Sequence, residues 1–253
     1  MPRKARLKSS SGVYHVVFRG INRQTIFEDE EDKEKFLEVL ARYKVKSGIE
    51  LYAYCLMDNH VHLLVKETEE SLSMFMKRLS SSYVYWYNLK YGRCGHLFQE
   101  RFNSENVESD AYFVTVLRYI HQNPLKAKLV RSVWDSKWTS IHEYVRIVNI
   151  VDIDRGLRLF SKDRKMARRR FILFMQEINE DQCLDINEKI KLSDDQVRDY
   201  LRTIGIMSNS MLQQMDREDR NVVLAKMKRI KGVSIRQISR VTGISKSVID
   251  RLK

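Results

Sequence analysis

Apolar and polar positions divide the chain into two parts of different character. Val13 to Phe18 is a short β-rich run and predicts a first strand. Asp29 to Val45 carries Phe36, Leu37, Leu40, Ala41, Tyr43 and Val45 among charges, with acidic residues in the first turn, which predicts a helix that Gly48 stops. Ile49 to Leu56 and His60 to Lys66 predict two strands, joined as a hairpin by Met57-Asp58-Asn59. Ser71 to Tyr91 predicts a second long helix, ended by Gly92. Arg93 to Val107 is mixed, and its alternation through Leu97-Phe98-Gln99-Glu100-Arg101-Phe102 predicts a strand or hairpin. Asp110 to Gln122 predicts a third helix, capped by Ser109 and closed by Pro124. The order β-α-β-β-α-β-α predicts an α+β fold, an antiparallel sheet with helices packed on it.

From about residue 150 the apolar density falls, Arg168-Arg169-Arg170 appears, and helical patterns continue to the end. This predicts an all-α C-terminal part, with a helical connecting segment over 148–220 and a separate unit over 221–253. In that last unit Ile235, Ile238 and Val241 make one helical stripe, and Thr242-Gly243-Ile244 reads as a turn with glycine where φ can be positive. Ser245 then caps a second helix with Val248, Ile249 and Leu252 inward. The pattern predicts a helix-turn-helix, with Ser245, Lys246, Ser247 and Asp250 or Arg251 toward a groove. The bases from Lys226 onward, among them Arg236, Arg240 and Lys253, face a single acid, Asp250, which suits duplex phosphate. The plainer alternative is a helical hairpin that only packs on its neighbour.

Composition narrows the partners. The 253 residues carry a formal net charge of +13, which favours a polyanion over an uncharged substrate. Aromatic residues make up 10% of the chain and suit the stacking of unpaired bases. Cys55, Cys94 and Cys183 are odd in number and far apart, so neither a disulfide framework nor a zinc finger is predicted, and a reducing, cytoplasmic setting is expected. The basic start, Met1 to Lys8, is followed by no apolar stretch and is not expected to be a signal peptide. No run of about 20 apolar residues predicts a membrane span.

Candidate chemistry begins at Asn59-His60-Val61-His62. On a strand, His60 and His62 point to one face and Val61 to the other. Two neighbouring imidazoles are two thirds of a divalent-metal site. In the third helix, Phe113, Val116, Leu117 and Ile120 form the core stripe. Tyr119 lies off it, with Asn123 one turn further on the same face. That pair reads either as a nucleophile with a metal-ligating amide or, more simply on the helix alone, as a half-buried tyrosine and a helix-ending Asn-Pro. Tyr83, Tyr87 and Tyr91 form a stripe on the second helix, for packing or for base stacking. His15, His96, His121 and His142 lack a partner at ligand spacing. His15 and His121 are placed to line the site but as lone histidines read more simply as structural.

Taken together, Tyr54-Cys55-Leu56-Met57-Asp58-Asn59-His60-Val61-His62-Leu63-Leu64-Val65, then Arg118-Tyr119-Ile120-His121-Gln122-Asn123-Pro124, and the opening Tyr14-His15-Val16-Val17-Phe18-Arg19-Gly20-Ile21-Asn22-Arg23 resemble the single-tyrosine HUH transposases (IS200-like), in particular the branch called REP-associated tyrosine transposases. The resemblance implies an HUH, ferredoxin-like sandwich over 10–147 as the catalytic domain. It implies His60 and His62 as metal ligands, Asn123 as a third where smaller relatives carry Gln, and Tyr119 as nucleophile. It implies Mg²⁺ or Mn²⁺ as cofactor and single-stranded DNA with hairpin structure as substrate, joined through a 5′-phosphotyrosine, in a monomer or homodimer. Arg19, Arg23, Arg101 and Arg118 are candidate DNA contacts in this part, and Arg236, Ser245, Lys246, Ser247 and Arg251 in the helix-turn-helix, where duplex DNA is expected. The rival readings are a domesticated DNA-binding regulator without cleavage and a metal hydrolase built on the His-x-His pair, for which no further ligand cluster is evident.

Overall fold

The computed structural model describes residues 7–99, 101–184, 194–230 and 232–252. The basic start through residue 6 and residues 185–193 of the expected connecting segment lie outside them. The chain divides into two compact units, 1–186 and 187–253.

The first unit is built on a four-stranded antiparallel sheet: β1 (Val13–Arg19), β2 (Glu50–Met57), β3 (His60–Lys66) and β4 (Asn103–Asn106), in the order β2-β3-β1-β4. Between them run α1 (Glu30–Ser47) and α2 (Leu72–Lys90), giving the ferredoxin-like succession. Each boundary has a local cause. Asp29 caps α1 by accepting from Asp32 N–H while the Asp32 side chain reaches back, and Gly48 ends the helix at φ +64°. Ser71 caps α2. The β2–β3 hairpin closes through Asp58-Asn59, one residue tighter than the predicted link.

The fourth strand is not where alternation placed it. Among the described residues of 97–102 the sheet pairing is a bridge from Phe98 to Gly20, and the paired strand is the polar Asn103–Asn106, which lies against Val17 to Tyr14 of β1. Its register is set by the partner strand rather than by its own apolar side chains, so no hydrophobic pattern marks it.

Strand alternation sorts the sheet into two faces. Val16, Phe18, Val61 and Leu63 look toward α1 and α2, where Phe18 packs 5.8 Å from Phe36 and Phe36 packs 5.2 Å from Tyr83 (ring centroids). The tyrosine stripe of α2 belongs to this layer. Tyr83 donates to the Ile26 carbonyl at 2.6 Å, Tyr87 to Glu28 at 3.0 Å and Tyr91 to Asp32 at 2.9 Å, so the stripe packs and is not a stacking face.

The opposite face is covered by α3 (Asp110–Lys126), whose Phe113, Val116, Leu117 and Ile120 are fully buried. Each such side chain contributes about 1.5–3 kcal/mol. Contrary to the sequence expectation, α3 does not close before Pro124. Proline removes only the donor to the Ile120 carbonyl. The helix runs one turn on because Ala127 N–H donates to Asn123 and Leu129 N–H to Pro124.

After α3 the chain returns along the outer edge of β2. Leu56 N–H donates to Trp138, Ser140 N–H to Tyr54 and Asp152 N–H to Leu51. Tyr144 of α4 (Ile141–Val145) donates to the Tyr52 carbonyl at 2.9 Å. Next come α5 (Ile153–Arg158) and α6 (Arg164–Gln176), whose Leu157, Ala167, Phe171 and Met175 enter the same core. The stretch expected as a connecting segment from 148 therefore begins inside the first unit.

The second unit contains α7 (Asp194–Thr203), α8 (Asn209–Gln214), α9 (Arg217–Arg229), α10 (Ile235–Thr242) and α11 (Lys246–Asp250). Its core includes Val197, Leu201, Leu224, Met227, Ile238, Val241 and Ile249. Gly243 links α10 to α11 at φ +72°. Val248, expected inward, is exposed, because the five-residue α11 has room for one inward position, taken by Ile249.

Candidate functional site

The buried seam between the sheet and α3 gathers the sequence candidates from three elements. Register places Arg19 opposite His60 and Val17 opposite His62, and alternation puts His15, Arg19, His60 and His62 on the face that α3 covers. His60 is half-buried and His62 fully buried, with ring centroids 5.0 Å apart. The Tyr119 ring lies 5.8 Å from that of His62 and 5.9 Å from that of His15. One turn along α3, Asn123 Nδ2 donates to His62 Nε2 at 3.3 Å. The structure thus brings Tyr119, Asn123 and the histidine pair together within one chain.

The imidazoles are held by neighbours. His60 Nδ1 is 2.6 Å from Asn59 Oδ1, an acceptor, so His60 carries its hydrogen on Nδ1. His62 Nδ1 is 3.1 Å from His15 Nε2. Burial holds His62 well below the usual histidine range, with the neighbouring His15 and His60 adding to the effect. Burial likewise pushes His15 down to about 3. Both rings are neutral at physiological pH, the state in which an imidazole ligates a metal.

The donor set fits a divalent ion of modest affinity. Two imidazoles and an amide converge, and among the described residues no group of three histidine, cysteine or carboxylate side chains does. Neutral ligands leave such an ion its full charge. For Asn123 to ligate, its Oδ1 would take the place of Nδ2.

The arginine candidates divide. Arg19 is half-buried at the mouth of the site, and Arg23 is exposed beside it, its carbonyl accepting from Asn59. Arg101 is exposed and lines a 640 Å³ cleft with Lys77, Phe98 and Phe102. Arg118 corrects the expectation of a DNA contact. It is 8% exposed, donates to both oxygens of Asp181 at 2.8 and 3.1 Å and to Glu177 at 2.8 Å, and lies 3.9 Å over the Phe174 ring. It fastens the segment after α6 to α3. In the second unit Arg236, Ser245, Lys246, Ser247 and Arg251 are all exposed.

Of two further residues near the site, Lys126 escaped the sequence reading and His15 was weighed for the site but read more simply as structural. Lys126 has its Nζ 5.2 Å from the Tyr119 ring centroid. Seven residues is two helical turns, so its place over Tyr119 follows once α3 is known to pass Pro124. His15 was legible as a strand residue, but its contact with His62 depends on the β1–β3 register. His121 does not line the site; it is buried, with Nε2 2.9 Å from Ser140 Oγ.

Comparison with known proteins bears first on the fold. Among solved structures, one described as "Structure of the REP associates tyrosine transposase bound to a REP hairpin" has a TM-score of 0.51 at 18% identity, over 61% of this chain and 90% of that one. A second, described as "Crystal structure of a putative transposase from deinococcus radiodurans r1", has a TM-score of 0.35 at 21% identity, over 48% of this chain and 97% of that one. The first likeness is one of fold. Residues 8–123, within the first unit, match the family described as "Transposase IS200 like". No curated protein matches the chain. Among the described residues no helix is long and apolar enough to cross a membrane.

Proposed function

We propose that the protein is a metal-dependent single-stranded DNA endonuclease and strand transferase that acts at hairpin-bearing DNA through Tyr119. The observation that carries this reading is the meeting of Tyr119, Asn123, His60 and His62 in one buried seam of a unit that matches the IS200-like transposase family. The hairpin substrate is supported by the solved structure of similar fold, which holds a REP hairpin.

In this reading Tyr119 Oη attacks a DNA phosphorus, giving up its proton, and the 3′ oxygen leaves and takes one up. The products are a 5′-phosphotyrosine and a free 3′-OH, and the reverse attack rejoins the strand without ATP. A phenol with a pKa near 10 needs help to ionise. Lys126, whose ammonium lies 5.2 Å from the centre of the Tyr119 ring, is the cation that would stand beside the developing phenolate. His60, His62 and Asn123 would hold Mg²⁺ or Mn²⁺, which supplies Lewis-acid charge at the phosphate. Arg19 and Arg23 are placed to meet backbone phosphates on the way in.

The second unit is proposed to bind duplex DNA as a helix-turn-helix, with α11 as the recognition helix and Lys246, Ser247 and Arg251 on its exposed side.

The test is a cleavage assay on labelled single strands that contain a hairpin. Wild-type protein is expected to form a covalent adduct in Mg²⁺ or Mn²⁺, and EDTA and Tyr119→Phe are each expected to abolish it. An adduct that persists in Tyr119→Phe rejects the nucleophile. Cleavage that continues in EDTA rejects the metal, and hairpin binding with no cleavage in either ion favours the regulatory alternative.

A further inference from the structure

His62 is held at both ring nitrogens. On one side Nε2 faces Asn123 at 3.3 Å, and on the other Nδ1 faces His15 Nε2 at 3.1 Å. His15 reaches it from β1, two residues beyond the position directly opposite, and its ring is stacked on that of His62 at 5.3 Å. His15 therefore lies behind His62, away from Asn123, and is not placed to be a ligand.

A neutral imidazole has one hydrogen, and its position decides which nitrogen can ligate. We infer that His15 is a positioning residue: its Nε2 accepts the Nδ1 hydrogen of His62 and so leaves His62 Nε2 without a hydrogen of its own, its lone pair directed toward Asn123 and the proposed ion. This rests on the metal reading above and adds to it the group that sets the ligand's tautomer.

Two observations, at Asn123 and at His60, support the direction of that hydrogen bond. Asn123 Nδ2 is a donor, so the His62 Nε2 it approaches is the acceptor and the His62 hydrogen is on Nδ1. With Nε2 accepting, His15 carries its own hydrogen on Nδ1, which is buried without a hydrogen-bond partner, so the arrangement leaves one unpaired donor behind the site. His60 shows the same use of Nδ1 with an unambiguous partner. Asn59 Oδ1 can only accept from His60 Nδ1, and the Asn59 amide is turned that way because its Nδ2 donates to the Arg23 carbonyl. Both histidines of the pair thus have Nδ1 engaged from behind, as metal-ligating histidines do when a second group orients them.

The experiment has two readouts on full-length protein. Nitrogen-15 NMR of the imidazoles, without metal, reports which nitrogen of His62 carries hydrogen. Titration with Mn²⁺ alone reports affinity. Wild type is expected to show His62 protonated at Nδ1. His15→Gln, whose Oε1 can accept the same hydrogen, is expected to keep that tautomer and bind Mn²⁺ within a few-fold of wild type. His15→Leu is expected to lose the tautomer preference and bind Mn²⁺ about 10- to 100-fold more weakly. Hydrogen on Nε2 of His62 in wild type, or unchanged tautomer and affinity in His15→Leu, overturns the inference. If His15→Leu does not fold, the wild-type spectrum and His15→Gln decide. If wild type binds no Mn²⁺ while His62 carries hydrogen on Nδ1, the metal reading fails and the role of His15 in fixing the tautomer stands.

Discussion

At the scale of single residues, three histidines are buried neutral. His15, His62 and His121 have no exposed surface, and burial lowers each, His15 and His121 to about 3. In the unfolded chain the same groups take up protons near pH 6.5. A depressed histidine pKa means that the unfolded state binds more protons. The stability associated with it is complete above about pH 6.5 and is lost as pH falls toward about 3. Each histidine contributes a slope of about 1.4 kcal/mol per pH unit in that window. Denaturant midpoints of metal-free protein are therefore expected to fall steeply between pH 6.5 and 5, and His121→Gln is expected to flatten the fall by about one third. A midpoint independent of pH there contradicts the neutral assignment. The same neutrality bears on chemistry, since a charged imidazole has no lone pair to offer a metal.

At the scale of elements, α3 supplies Tyr119 and Asn123, and in addition to its buried apolar stripe it is tied down by the clasp made by Arg118. The guanidinium joins α3 to Glu177 and Asp181, while Gln122 Nε2 donates to the carbonyls of Met175 and Glu177. Asp181→Ala removes the bidentate partner but leaves Glu177. The expected cost is about 1–2 kcal/mol in chemical denaturation, larger than that of an exposed ion pair. A loss below 0.3 kcal/mol would show that the clasp does not hold α3.

The same helix shows what a sequence reveals. His60 and His62 are two apart, and strand alternation alone aims them together. Tyr119 and Asn123 are four apart, and helical periodicity aims them together. Both spacings are local, and the structure brings the two pairs into one seam. Arg118 was misplaced because its partners come from sixty residues away. Lys126 was missed because Pro124 was read as a stop, when a proline in the last turn costs one hydrogen bond. β4 was displaced because Asn103-Ser104-Glu105-Asn106 is recruited by an existing strand and has no apolar alternation of its own.

At the scale of the whole molecule, the +13 charge is shared by two units that would meet DNA differently. In the first, the candidate arginines near the site are few, and one is neutralised within the fold. In the second, Arg236 and Lys246 are exposed, and Arg240 is tied to Asp194 at 2.7 Å. Arg236→Ala and Lys246→Ala are each expected to weaken duplex binding and to lower the dependence of log affinity on log salt by about one, with cleavage of hairpin-bearing single strands retained. Unchanged salt dependence in both variants would remove the second unit from duplex contact.

The return of the chain along β2 has a further consequence. An open strand edge invites another strand, from a second copy or from a misfolded neighbour. Here Leu51, Tyr54 and Leu56 already have their outward backbone groups bonded to Asp152, Ser140 and Trp138. The opposite border of the sheet is the short, polar β4. Fibril-like growth by strand addition is blocked at β2, and two copies that assemble on one DNA would have to meet through other surfaces, leaving each sheet, and the histidines it carries, intact.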